Sequence, residues 1–212
     1  EYFEDLYLDS GKENITLQSE SGPEQTIING SQTWHGTLIQ LSSNYFTMDG
    51  FTIKDHPGTA LRAYGAQHST FKNLILKNNR EYMFQNSTVE NCVFTENTGN
   101  LRVQGRDYNN PYSNIFKNVT ITNNGPGFRF MIVHQSQSQE NWWDVLFLNS
   151  VFYETEGQGF LFKGDEGASS RLYINNSLFT QEDITDEDGN AQVYTDNNLS
   201  VLYPYFNDPN NG

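Results

Sequence analysis

Six arginines stand among 26 acidic residues in this 212-residue chain, and their placement is where chemistry would start. Arg62, Arg102 and Arg129 each sit in a short alternating run: TALRAY, NLRVQ and GFRF. Arg106, Lys163 and His134 fall on the same side or its rim. Guanidinium groups pair with carboxylate or sulfate through two parallel hydrogen bonds, so this set suits an anionic polymer. Arg102, Arg129, Lys163 and His134 are also weak candidates for a catalytic base that removes a sugar proton beside a neutralised carboxylate. Asp107, Asp165 and Glu166 either pair with these cations on a solvated face or contribute to a two-carboxylate glycosidase site. Trp142-Trp143 lies in the longest insertion, QSQSQENWWD, and either stacks on sugar rings or folds back over the body.

The remaining chemistry-bearing residues say less. Asp186, Asp188 and Gly189 resemble part of a calcium loop, but the first ligand position and the closing Glu are missing. An exposed acidic loop is the preferred reading there. His35, His56, His68 and His134 have no partner at zinc-ligand spacing and read as surface histidines, so neither metal nor cofactor is expected. The single cysteine, Cys92, sits in an apolar run and reads as a buried, inert thiol. A net charge of −14 argues against nucleic acid and anionic membranes as partners. No apolar run approaches the roughly 18 residues of a membrane span.

The elements that position these residues follow from a repeat. FTMDGFTIKDH, TFKNLILKNN, TVENCVFTEN, IFKNVTITNN, LFLNSVFYET and YINNSLFTQE share one plan. An apolar residue and a spacer precede Asn or Gly, and a short β-rich run follows. The anchors are Gly30, Gly50, Asn73, Asn91, Asn118, Asn149, Asn176 and Asn198, spaced 18 to 31 residues apart. Between anchors lies a second run of alternating residues: TLIQL, TALRAY, LRVQ, FRF, FLFK and AQVY. Period-two alternation means a strand with one buried face. Runs this short, broken by Asn and Gly, exclude helix.

One coil cannot bury its apolar residues alone; stacked coils bury them in a column. The expectation is all-β: a single-stranded right-handed parallel β-helix of about eight coils, one domain over 1–212. Leu61, Ala63, Leu101, Val103, Phe128, Phe130, Phe160, Phe162, Ala191 and Val193 should face inward. Gln40, Arg62, Arg102, Arg129, Leu161 and Gln192 should form one outward column. Arg102 and Arg129 are then vertical neighbours about 4.8 Å apart. Stacked Asn side chains should bond one another, with Asn118 buried and its glycosylation sequon unmodified.

The entry stretch, EYFEDLYLDSGKENITLQSESGPEQTIING, and the exit stretch, YPYFNDPNNG, resemble the first and last coils of bacterial right-handed parallel β-helix repeat proteins. That family of secreted and cell-surface proteins includes polysaccharide-active enzymes, adhesins and structural modules. The resemblance implies a secreted or surface segment flanked by other domains of a parent protein. The Asp-Pro-His signature of alginate epimerases is missing, since Asp55-His56-Pro57 has another order. The polygalacturonase and pectate-lyase patterns are absent too. A binding scaffold for polysaccharide is the preferred function. A polysaccharide lyase or glycoside hydrolase is the alternative, and a fibre or assembly component a third reading.

Overall fold

The structure, a computed structural model, describes residues 1–33, 36–104, 112–133, 142–153, 160–163, 169–179, 184–186 and 191–199. Short strands follow one another in threes. The first coil is β1 (Leu6–Leu8), β2 (Thr16–Gln18) and β3 (Ile27–Asn29); the second is β4 (Thr37–Leu41), β5 (Thr47–Asp49) and β6 (Thr52–Lys54). The third is β7 (Thr59–Ala63), β8 (Ser69–Lys72) and β9 (Ile75–Lys77), and the fourth β10 (Glu81–Gln85), β11 (Ser87–Glu90) and β12 (Val93–Thr95). The fifth is β13 (Asn100–Gln104), β14 (Tyr112–Lys117) and β15 (Thr120–Thr122), and the sixth β16 (Arg129–Val133), β17 (Trp142–Leu148) and β18 (Val151–Tyr153). Two-strand remainders follow, β19 (Phe160–Lys163) with β20 (Ser169–Asn175), and β21 (Ile184–Asp186) with β22 (Ala191–Asp196).

Each strand pairs in parallel with the strand one coil away. Sheet 1 runs β1-β4-β7-β10-β13-β16-β19-β21, sheet 2 β2-β5-β8-β11-β14-β17-β20-β22, and sheet 3 β3-β6-β9-β12-β15-β18. Bridges from Val151 to Leu178 and on to Leu199 close the third side of the last two coils. The result is the expected parallel β-helix of eight coils.

The corners explain the repeat. Between sheets 2 and 3 one residue per coil takes a left-handed backbone: Gly50, Asn73, Asn91, Asn118, Asn149, Asn176 and Asn197, with φ between 49° and 83°. Asn tolerates this region better than other side-chain-bearing residues. The corner N–H still bonds along the axis, as from Asn91 to Lys117 O at 3.0 Å and from Asn118 to Leu148 O at 2.9 Å. Exposed side chains continue the ladder: Asn118 Nδ2 donates to Asn91 Oδ1 at 3.0 Å, and Asn73 Nδ2 to Asp49 Oδ1 at 2.7 Å. Left-handed residues also turn the other corners: Asn14, Tyr45, His68 and Asn86 between sheets 1 and 2, and Asp55, Asn78, Glu96 and Asn123 between sheets 3 and 1.

A second ladder is buried behind the sheet 3 to sheet 1 corner. Asn79 N–H donates to Asn97 Oδ1 at 2.9 Å, and Asn97 N–H to Asn124 Oδ1 at 2.8 Å. The same amides serve inner carbonyls, with Asn97 Nδ2 on Leu76 O at 3.0 Å. Tyr82, fully buried, donates its hydroxyl to Asn97 Oδ1 at 2.6 Å. These contacts satisfy polar groups that would otherwise be costly inside the column. The core itself is an aromatic stack through Phe71, Phe84, Phe116, Phe130 and Phe147, with neighbouring centroids 4.8 to 6.1 Å apart.

Several expectations need correction. Gly30 belongs to the sheet 3 to sheet 1 corner and lies against His56. The last anchor is Asn197, not Asn198; Asn198 turns inward and accepts from Ser177 N–H at 2.8 Å. Asn118 is exposed, because a left-handed corner points its side chain outward. AQVY is β22 of sheet 2, so Gln192 pairs with Arg171 and leaves the arginine face; Val193 still packs on the core. The sheet 1 strand of that coil is Ile184–Asp186, so Asp186 is a strand residue paired with Phe162 and not part of a loop. Asp188 lies outside the described residues. Leu61, Ala63, Leu101, Val103, Phe128 and Phe130 are buried as expected. Cys92 is buried too, and burial pushes its thiol up to about 12.

The two ladders should respond differently to substitution. Asn97→Ala removes the acceptor of the Tyr82 hydroxyl proton and of the Asn79 N–H and the amide donor to the Leu76 carbonyl, and should cost about 3 kcal/mol. Asn91→Gly keeps the left-handed corner and should stay within about 1 kcal/mol of wild type. Denaturant midpoints measure both; equal losses would contradict the division of labour.

Candidate functional site

Sheet 1 presents one outward column whose register reads Tyr7, Gln40, Arg62, Met83, Arg102 and Met131, and the backbone register continues through Leu161 and Thr185. Arg62 and Arg102 therefore alternate with Met83 and Met131. Arg129 shares the outward face but pairs with Asn100, two residues before the Arg102 level. The expected column of three arginines is corrected accordingly: the face is right and the register of Arg129 is not.

Sequence reasoning missed Arg80 and Glu81, at the start of the fourth coil. They line a cleft of about 280 Å³ with Gly36, Gly58, Thr59, Gly99, Asn100 and Arg102. Glycine makes this cleft because the coils approach closely at that corner. A Cβ on Gly58 would lie 2.6 Å from Gly36 O, and one on Gly99 would collide with Arg80 O. Four arginines, Arg62, Arg80, Arg102 and Arg129, thus occupy sheet 1 and its leading corner.

Their pairing differs. Arg102 Nε lies 2.7 Å from Glu81 Oε1. Thr59 Oγ1 donates to the other oxygen, Glu81 Oε2, at 2.9 Å. Arg62 lies over the Tyr64 ring, 5.7 Å from its centroid. Among the described residues, Arg62, Arg80 and Arg129 form no ion pair. Arg171 is different in kind: on sheet 2 it bonds Asp144 through Nε at 2.6 Å and Nη2 at 2.9 Å. Burial pushes the Asp144 carboxyl up, and the hydrogen bonds from Arg171 oppose that rise.

A family model for the right-handed β-helix region matches residues 35–201. The chain belongs to the right-handed β-helix family. Neither the curated proteins nor the solved structures give a match to this β-helix.

Of the other sequence candidates, the described ones lie elsewhere in the fold. Lys163 is in register with Val133 on β19, away from the Arg62–Arg102 column. Trp142 and Trp143 are strand residues of sheet 2, opposite Ser169 and Ser170, not members of an insertion loop. Arg106, Asp107, His134, Asp165, Glu166 and His35 lie outside the described residues. His56 is buried, contrary to its reading as a surface residue, with Nδ1 3.2 Å from Thr33 Oγ1. A larger hollow of about 520 Å³ beside the first coil has Leu6, Leu17, Ile28 and Phe51 on one side and Glu4, Asp5 and Glu20 among its polar lining. It lacks the converging cations of the cleft.

The glycine floor makes a direct prediction. Gly58→Ala and Gly99→Ala force backbone apart and should each lower the thermal midpoint by several degrees. Gly36→Ala, whose Cβ meets nothing within 4 Å, should leave it unchanged. A calorimetric scan in which Gly99→Ala matched wild type would contradict the close coil approach.

Proposed function

We propose that this β-helix is a secreted or cell-surface scaffold that holds a linear anionic polysaccharide along sheet 1. The observation that carries this reading is charge placement. In a chain of net charge −14, four of six arginines gather on one face and its leading corner, and Glu81 is the carboxylate of the cleft among them. Such a local reversal of sign attracts and orients an anion.

Coil geometry supports the polymer. Arg62 and Arg102 stand in one column two coils apart, roughly 10 Å along the axis, while Arg80 and Arg129 sit on the neighbouring coils nearer the leading corner. That span is of the order of two pyranose units, so the in-line cations meet alternate sugars of an extended chain. Met83 and Met131, between the arginines, offer adaptable apolar surface to ring faces. Glu81 is engaged by Arg102 and Thr59, which favours holding a ligand over proton transfer. Placement outside the cell rests on the likeness of the entry and exit stretches to secreted and surface proteins.

Titration calorimetry with hexagalacturonate tests this. Binding should weaken about tenfold between about 20 mM and about 200 mM salt. Arg102→Gln combined with Arg129→Gln should weaken it at least about tenfold. Equal binding of a neutral oligosaccharide, or an indifferent double variant, would overturn the reading.

A further inference from the structure

The two described arginine–carboxylate pairs are built differently, and the difference bears on the cleft. Arg171 and Asp144 form a closed fork, with two nitrogens on two oxygens. Arg102 and Glu81 do not. One oxygen of Glu81 sits 2.7 Å from Arg102 Nε, yet that buried Nε makes no aligned hydrogen bond. The other oxygen of Glu81 is committed to Thr59. Glu81 therefore neutralises Arg102 by proximity, without using the two-pronged geometry that gives such pairs their strength.

A free carboxylate entering the cleft has no such restraint. It can present both oxygens to the guanidinium in the plane the fork requires. We propose that Glu81 is a built-in competitor for Arg102, displaced when a carboxylate-bearing sugar takes that guanidinium. This rests on the reading of sheet 1 as a polyanion-binding face. Thr59 keeps hold of Glu81 through Oε2 as the exchange occurs. Arg80, which lines the same cleft and forms no ion pair among the described residues, gives the incoming sugar acid a second cation. The affinity of the site is thus set below what its arginines alone would provide, and its ligand class is a carboxylate-bearing glycan.

Removing Glu81 should tighten binding, opposite to the result expected if it held a sugar hydroxyl. Loss of one negative charge also favours any polyanion at long range, so a matched control is needed. Glu96 serves: it stands three residues before Gly99 and pairs with Lys77 at 3.1 Å, outside the cleft. Hexagalacturonate is titrated into the full chain carrying Glu81→Gln, Glu81→Ala, Glu96→Gln or Arg102→Gln, with circular dichroism confirming the fold.

Both Glu81 variants should bind about five- to tenfold tighter than wild type, and Glu96→Gln within about twofold. Arg102→Gln should lose most of the binding. Glu81 variants no tighter than Glu96→Gln, or weaker than wild type, would overturn the competitor role. If Arg102→Gln still abolished binding in that case, the polyanion face would stand. Absence of binding by wild type and both Glu81 variants at low salt would overturn both.

Discussion

The fold depends on a single backbone constraint: the corner between sheets 2 and 3 must turn the chain without leaving the hydrogen-bonded stack. One left-handed residue does this. It redirects the strand by one position while its N–H continues to the carbonyl of the next coil, as Asn73 does to Glu90 at 3.0 Å. A longer turn would interrupt the ladder and expose unpaired groups. Asn fills most of these corners because its short amide tolerates positive φ and can bond the amide above or below. Once the corners are fixed, inward residues of successive coils must superimpose, and the column from Met48 through Phe71, Val89, Phe116, Phe147 and Ile174 follows.

The same constraint builds the cleft. Residues two dozen apart in sequence become vertical neighbours, so Glu81 meets Arg102 and Asn100 meets Arg129. Close approach at the sheet 3 to sheet 1 corner removes side chains at Gly58 and Gly99 and leaves backbone as the floor. The buried Asn79–Asn97–Asn124 ladder stands behind that floor and holds the coils at fixed spacing. The cations are therefore carried on a hydrogen-bonded frame of fixed coil spacing.

Much of this was legible in sequence, for a definite reason. Alternation at Leu61/Ala63 and Leu101/Val103 fixes the buried face, and the apolar-x-Asn spacing fixes the coil. Register is a different matter. A slip of two residues preserves the face, so alternation cannot detect it. Arg129 shows this: Leu101 pairs with Phe130, not with Phe128 as alternation alone would equally allow. Doublets mislead similarly, since in Asn197-Asn198 only the first is the corner. Arg80 and Glu81 carry no signal in sequence because their strand follows Asn78-Asn79 directly, without the glycine that marks the neighbouring coils. Trp142 and Trp143 read as part of an insertion in sequence because the polar run before them hides the start of β17.

Amide hydrogen exchange at the sheet 2 to sheet 3 corners tests the central constraint most directly. The side chains of Asn73, Asn91 and Asn118 are exposed, so ordinary surface turns there would exchange quickly. Corners that remain in the ladder predict slow exchange at these three amides, comparable with the flanking strands. Fast exchange at the three corners beside protected strands would contradict the account.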